Sequence, residues 1–366
     1  MMPKDPEIRL YVGTYTETMP HVRGQAEGIY VYRFNSSSGG LTRTGQCNGI
    51  RNPSYLAVAP QGRCLYAVQE TPAHDGPAIH AFAVRPETGA LTHLNQQPVP
   101  GGYPCHIQVD PDGRYALVAS YLGGNVAVFP ILEDGRLGAA TDVVQHQGSG
   151  TDPRRQEGPH PHAVVFDAVG RVFVPDLGLD KIYVYRLDRA KGRLVPHDPP
   201  AAEVPSGAGP RHLGFHPNGR HAFVINEINS TLTAFAYDAG RGILTPRQTA
   251  GALPPGFDGE SAGAAVRVSP SGRFVYGSNR GHDSIALFAF DEREGALTAI
   301  GHEPTRGKTP RDFIIDPSGQ FLLAANQDTG TIAVFRIDPR SGRLQPTGEA
   351  IPVPTPVCLQ FALSPT

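Results

Sequence analysis

Four side chains in the middle and second half of the chain have the types that acyl chemistry needs: His162, Arg211, Glu227 and Arg280. An arginine grips a planar or tetrahedral anion through two parallel N–H bonds without losing its charge. It can also face the oxyanion that forms when water adds to an ester carbonyl. A carboxylate flanked by arginines stays ionised, and an ionised carboxylate or a neutral imidazole can take a proton from water. The four lie far apart in sequence, so only a fold that returns repeatedly to one place can gather them.

The repeat that could do so is written in the turns. A proline opens a short apolar strand, a Pro-x-Gly-Arg turn or close variant follows, and a second strand leaves it, as in Pro104 to Pro111-Asp112-Gly113-Arg114. The turn glycines fall at Gly62, Gly113, Gly170, Gly219, Gly272 and Gly319. A period near ~50 residues with four strand-like segments is the signature of a propeller blade. Third strands read Asn125–Phe129, Lys181–Tyr185, Thr231–Phe235, Ser284–Phe288 and Thr331–Phe335. Poorer fourth strands begin at Gly-x-Leu signals at Gly135, Gly192, Gly242 and Gly342. Six units are internal. At the ends, Tyr11–Tyr15 and Gly28–Tyr32 read as second and third strands lacking a first, and Pro356–Phe361 reads as a first strand alone. Pairing them closes the ring and removes its open edges. The expectation is an all-β, seven-bladed β-propeller, one blade closed by N- and C-terminal strands, with residues 1–366 as a single domain.

Equivalent positions of such a repeat form rings around one axis. The residue after the strand-opening proline reads Ser54, Cys105, His162, Arg211, Ala264, Arg311 and Val357. Eight residues after each turn glycine come Glu70, Tyr121, Leu177 (with one deletion), Glu227, Arg280 and Gln327, with Tyr15 as the N-terminal counterpart. Antiparallel strands put both rings at the same mouth. Packing alone would repeat similar residues there; variation among His, Arg, Glu and Tyr on a constant scaffold marks a site. Arg311, Glu70, Tyr121, Gln327 and Tyr15 are the expected substrate-binding companions of the central four.

Plainer readings exist for several of these residues. Arg211 and Glu227 could form a structural ion pair between blades. His160 reads as a loop residue satisfied by backbone, and His106, His212 and His216 as buried, hydrogen-bonded strand residues. Glu157, His160 and His162 lack a known zinc-ligand spacing, so no metal is expected. No Gly-x-Ser-x-Gly or GxGxxG phrase points to a nucleophile elbow or a nucleotide loop, and no cofactor is expected.

The whole-chain numbers exclude other classes. Lys and Arg number 32 against 34 Asp and Glu, and no basic stripe suits a nucleic-acid backbone. No apolar run reaches the roughly 18 residues that a membrane span needs. The opening residues, Met1 to Leu10, are polar with no apolar signal-peptide core, so a cytoplasmic location is expected. Four scattered cysteines without a CxxC pair read as reduced thiols. The segment Gln145 to Glu157 is polar and sits inside a blade on this reading, where it could cover the mouth.

Several phrases resemble one family: Tyr11-Val12-Gly13-Thr14-Tyr15-Thr16, Asn52-Pro53-Ser54-Tyr55-Leu56, Gly158-Pro159-His160-Pro161-His162-Ala163, Gly209-Pro210-Arg211-His212 and Asn226-Glu227. They are similar to the bacterial propeller lactonases, the seven-bladed 6-phosphogluconolactonases related to fungal 3-carboxymuconate lactonizing enzymes. The resemblance runs from Leu10 to about Phe361. It implies that a His, two Arg and a Glu at one mouth act on the substrate, which map onto His162, Arg211, Glu227 and Arg280. It implies hydrolysis of an anionic sugar-acid lactone, 6-phosphogluconolactone first, with Glu227 or His162 activating water and Arg211 and Arg280 binding anion or oxyanion. Two other readings remain open: carboxymuconate cycloisomerisation, and a non-catalytic propeller that binds a small acid or a protein. The oligomeric state is not readable.

Overall fold

In the computed structural model, which describes residues 8–363, seven antiparallel sheets stand around a central channel. The polar opening Met1 to Glu7 lies outside the described residues, as do the last three. Six sheets follow chain order: their innermost strands are Leu56–Val58, Pro104–Val109, Val165–Phe166, Pro210–Phe215, Ala262–Val268 and Pro310–Ile315. We number these blades two to seven. Blade one takes its inner strand, Pro356–Leu363, from the C-terminal end and pairs it with Ile8–Thr14, so that Ile8 faces Leu363 and Gly13 faces Cys358. That is the closure expected from the sequence.

The turn glycines behave as their positions demand. All six have φ between 66° and 84°, the left-handed region that other residues reach only with strain. Successive blades pack through apolar faces. Phe223, Ile225 and Leu232 of blade five meet Val275, Ala286 and Phe288 of blade six, all buried. Truncating one such phenylalanine to alanine would cost about 3–5 kcal/mol. Outer strands are half-exposed and alternate, as in Arg193–Glu203, which explains their weaker apolar signal.

Tyrosines stitch one blade to the next. Tyr11 donates to the Gly89 carbonyl at 3.0 Å, Tyr66 to Gly135 at 3.0 Å and Tyr276 to Gly342 at 2.9 Å. Each acceptor is the glycine of a Gly-x-Leu phrase in the following blade, and at Gly89 and Gly342 that glycine turns into the outer strand.

Three details depart from the sequence reading. In blade three the Gly135 signal does not open the outer strand; Leu137 only bridges to Ile131, and the strand is Asp142–Gln145. The outer strand of blade seven is broken into Leu344–Pro346 and Ile351–Pro352. The segment after Gln145 lies between blades three and four, not inside a blade. It is therefore an inter-blade connection, free of the ladder constraints that hold a blade's own turns.

Candidate active site

Inner strands begin, and second strands end, at one mouth of the channel. A cavity of about 400 Å³ opens there, within the range of small-molecule sites. Its wall includes Glu70, Cys105, Tyr121, His162, Glu227, Arg280 and Arg311, contributed by six different blades. Both rings read from the repeat register thus converge.

Glu227 is the hub. It follows the second strand of blade five, His221–Asn226, and is buried. Its Oε2 lies 2.8 Å from Arg211 Nε and 2.8 Å from Arg280 Nη2, while Oε1 meets Arg155 Nη2. Burial alone would raise this carboxyl; the charges of Arg280, Arg211 and Arg155 outweigh it and hold it well below the usual carboxylate range. The Arg211–Glu227 pair lies within blade five, between adjacent strands, not between blades. Arg211 does cross to blade six, where Nη1 donates to the Ala264 carbonyl at 2.6 Å. It is absent from the cavity wall and sits behind Glu227. Burial, with Arg280 and Arg311 nearby, lowers its guanidinium to about 10, which leaves it charged at neutral pH.

His162 is held by its own backbone: its N–H donates to the Pro175 carbonyl at 2.9 Å. Asp176 Oδ1 accepts from the His160 N–H at 2.7 Å, fixing the His160-Pro161-His162 segment from below. Burial, then the Arg211 charge, push the His162 imidazole well below 6.5, so it is neutral at pH 7. Nδ1 lies 3.8 Å from the Cys105 sulfur, a thiol that burial keeps protonated. Tyr121 stacks on His160 at 4.4 Å and meets His162 edge-on at 5.4 Å.

Across the mouth, Glu70 Oε2 accepts from Tyr15 Oη at 2.9 Å and from Ser54 Oγ. Arg311 lies over the Tyr15 ring, 5.5 Å from its centroid. Tyr15 itself is fully buried and supports Glu70 and Arg311 without forming wall. Gln327 does not join the cavity: it is buried, and Nε2 donates to its neighbour Asp328 at 2.8 Å.

His160 is satisfied by the Tyr121 carbonyl and by Glu157 Oε1, each at 3.0 Å. Among the described residues no group of three or more His, Cys, Asp or Glu could hold a metal ion. His106 and His212 line the channel below the mouth, and His216 pairs with the Gly272 carbonyl at 2.9 Å.

A family model described as lactonase, seven-bladed β-propeller, matches residues 9–361. This chain belongs to the propeller lactonase family. Among relatives, the 6-phosphogluconolactonase of Bacillus subtilis (strain 168) is 37% identical over 352 residues, covering 96% of this chain and 97% of that one. The 6-phosphogluconolactonase of Formosa agariphila is 34% identical over 311 residues, 84% of this chain and 86% of its own. The solved periplasmic gluconolactonase of Pseudomonas aeruginosa superposes with a TM-score of 0.91 at 36% identity, covering 98% of this chain and all of that one.

Several parts of this lactonase-family cavity escaped the sequence reading, Tyr103 and Leu122 among them. Arg155 enters from the inter-blade connection and completes the set of guanidinium groups on Glu227. Its loop was expected to be able to cover the mouth, but no repeat position marks the arginine. Pro20 and His21 come from a small hairpin, Thr18–Met19 with Val22–Arg23, inserted between the second and third strands of blade one. Nothing in the repeat announces it.

Proposed function

We propose that this chain hydrolyses a sugar-acid lactone, 6-phosphogluconolactone to 6-phosphogluconate, in the mouth cavity. The observation that carries this is a neutral imidazole and a cluster of guanidinium groups facing one small cavity. His162 takes a proton from water as it adds to the lactone carbonyl carbon. Arg280, on the cavity wall, meets the oxygen that becomes negative. The carbon–ring-oxygen bond then breaks, and the imidazolium returns the proton to the leaving ring oxygen. Glu227 is less suited to be the base, because both oxygens are occupied by arginines and its proton affinity is low. Its role is to hold Arg280 and Arg155 in place, with Arg211 bracing it from behind. The substrate is a small anionic lactone, and the scheme requires no metal or cofactor. No described helix is long and apolar enough to cross a membrane. Action in the cytoplasm agrees with four unpaired cysteines.

Purified protein should open 6-phosphogluconolactone faster than buffer does. His162→Gln and Arg280→Gln, checked for folding by circular dichroism, should each lower the excess rate by about 100-fold or more. A full rate in either variant removes that residue from the scheme, and no excess rate in the parent removes the scheme.

A further inference from the structure

The guanidinium groups around the cavity are not equivalent. Arg155, Arg211 and Arg280 are each ion-paired to Glu227. Arg311 lines the same cavity but, among the described residues, forms no ion pair and no hydrogen bond; it rests on the Tyr15 ring.

Position adds a second argument. Arg311 belongs to blade seven and His162 to blade four. Three blades apart is the greatest separation that a ring of seven allows. A ligand that touches both must carry its reacting carbonyl at one end and its anion at the other. A phosphate ester at the far end of a sugar-acid lactone has that layout, and a tetrahedral dianion matches forked N–H donors.

We propose that Arg311 seats the terminal phosphate of the substrate and sets the preference for phosphorylated over unphosphorylated lactones. This rests on the lactonase reading above, whose relatives bear names of both kinds. Arg311 is a specificity residue, so its removal acts mainly on KM. The test compares kcat/KM for 6-phosphogluconolactone and gluconolactone in the parent and in Arg311→Gln, with thermal melts to confirm folding. The ratio of the two values should fall by about 10- to 100-fold, with the loss in KM for the phosphorylated lactone. An unchanged ratio overturns the proposal even if both rates drop. Should the parent open neither lactone, the lactonase reading fails separately. Calorimetry with gluconate 6-phosphate and gluconate then decides the phosphate seat: Arg311→Gln must erase any preference for the phosphorylated acid, and equal binding of the two acids by the parent overturns the seat.

Discussion

Neutral His162 has a consequence for pH. In the proposed reaction the uncharged imidazole is the active form. Burial and Arg211 depress its pKa well below 6.5, so activity is present above that depressed value and is lost as pH falls through it. The profile of kcat/KM should therefore stay level from pH 8 down through 6.5 and bend only at more acid pH. Half-loss near 6.5 would mean that an unperturbed histidine controls the rate. Arg155 makes a separate prediction. It reaches Glu227 from a connection and is partly exposed, so Arg155→Gln should leave the fold intact and raise KM by about tenfold in steady-state assays. A variant with parental KM would make the arginine a bystander. At this scale the sequence was informative wherever a residue occupies a repeat position. Aligning turn glycines brought His162, Glu227, Arg280, Arg311 and Glu70 to one mouth. It also brought Gln327 and Arg211 to the same rings, yet neither reaches the cavity, because ring membership fixes a backbone position and not where a long side chain finds its partners.

Elements hold these groups through close backbone contacts. Gly178, just past the second strand of blade four, is packed against the segment that carries His160 and His162: a Cβ there would lie 1.8 Å from the Gly158 carbonyl oxygen. Backbone on backbone cannot yield like a flexible side chain. Gly178→Ala should cost about 1–3 kcal/mol by denaturant titration and lower kcat by displacing His162. Parental stability and kcat would show that the segment tolerates the shift. The pressure of Gly178 on a segment 20 residues earlier was not readable in the sequence, because no local rule links the two. The tyrosine stitches were likewise hidden: Tyr66 and Gly135 lie 69 residues apart, and their pairing follows only from the angle between blades. Hairpin turns were legible because their glycines answer to local φ; inter-blade connections obey no such local rule, which is why the Gly135 signal and the segment after Gln145 misled.

Ring closure makes the channel a shared interior. His106, His162 and His212 are buried along it, within 6 Å of one another through His212. Burial first, and neighbouring arginines second, push His106 down to about 3 and the other two well below 6.5. The unfolded chain takes up these three protons below pH 6.5, while the folded chain refuses them. Stability contributed by the neutral forms is therefore intact above 6.5 and declines as pH falls toward the folded values. Each imidazole adds a slope of about 1.4 kcal/mol per pH unit, or about 4 kcal/mol per unit for the three together. Urea titrations at pH 7.5, 6 and 5 should show this steepening loss; a flat profile would mean that the channel admits protonated histidine. The seven-fold architecture itself was readable from turn spacing and from the orphan strands at the two ends, because closure leaves a count that only one pairing completes.

The measurement that bears most directly on the account is a crystal structure of the chain with gluconate 6-phosphate. The acid should occupy the mouth cavity, its carboxylate against His162 and Arg280 and its phosphate against Arg311. Product bound elsewhere on the propeller, or a mouth left empty at saturating concentration, would contradict it.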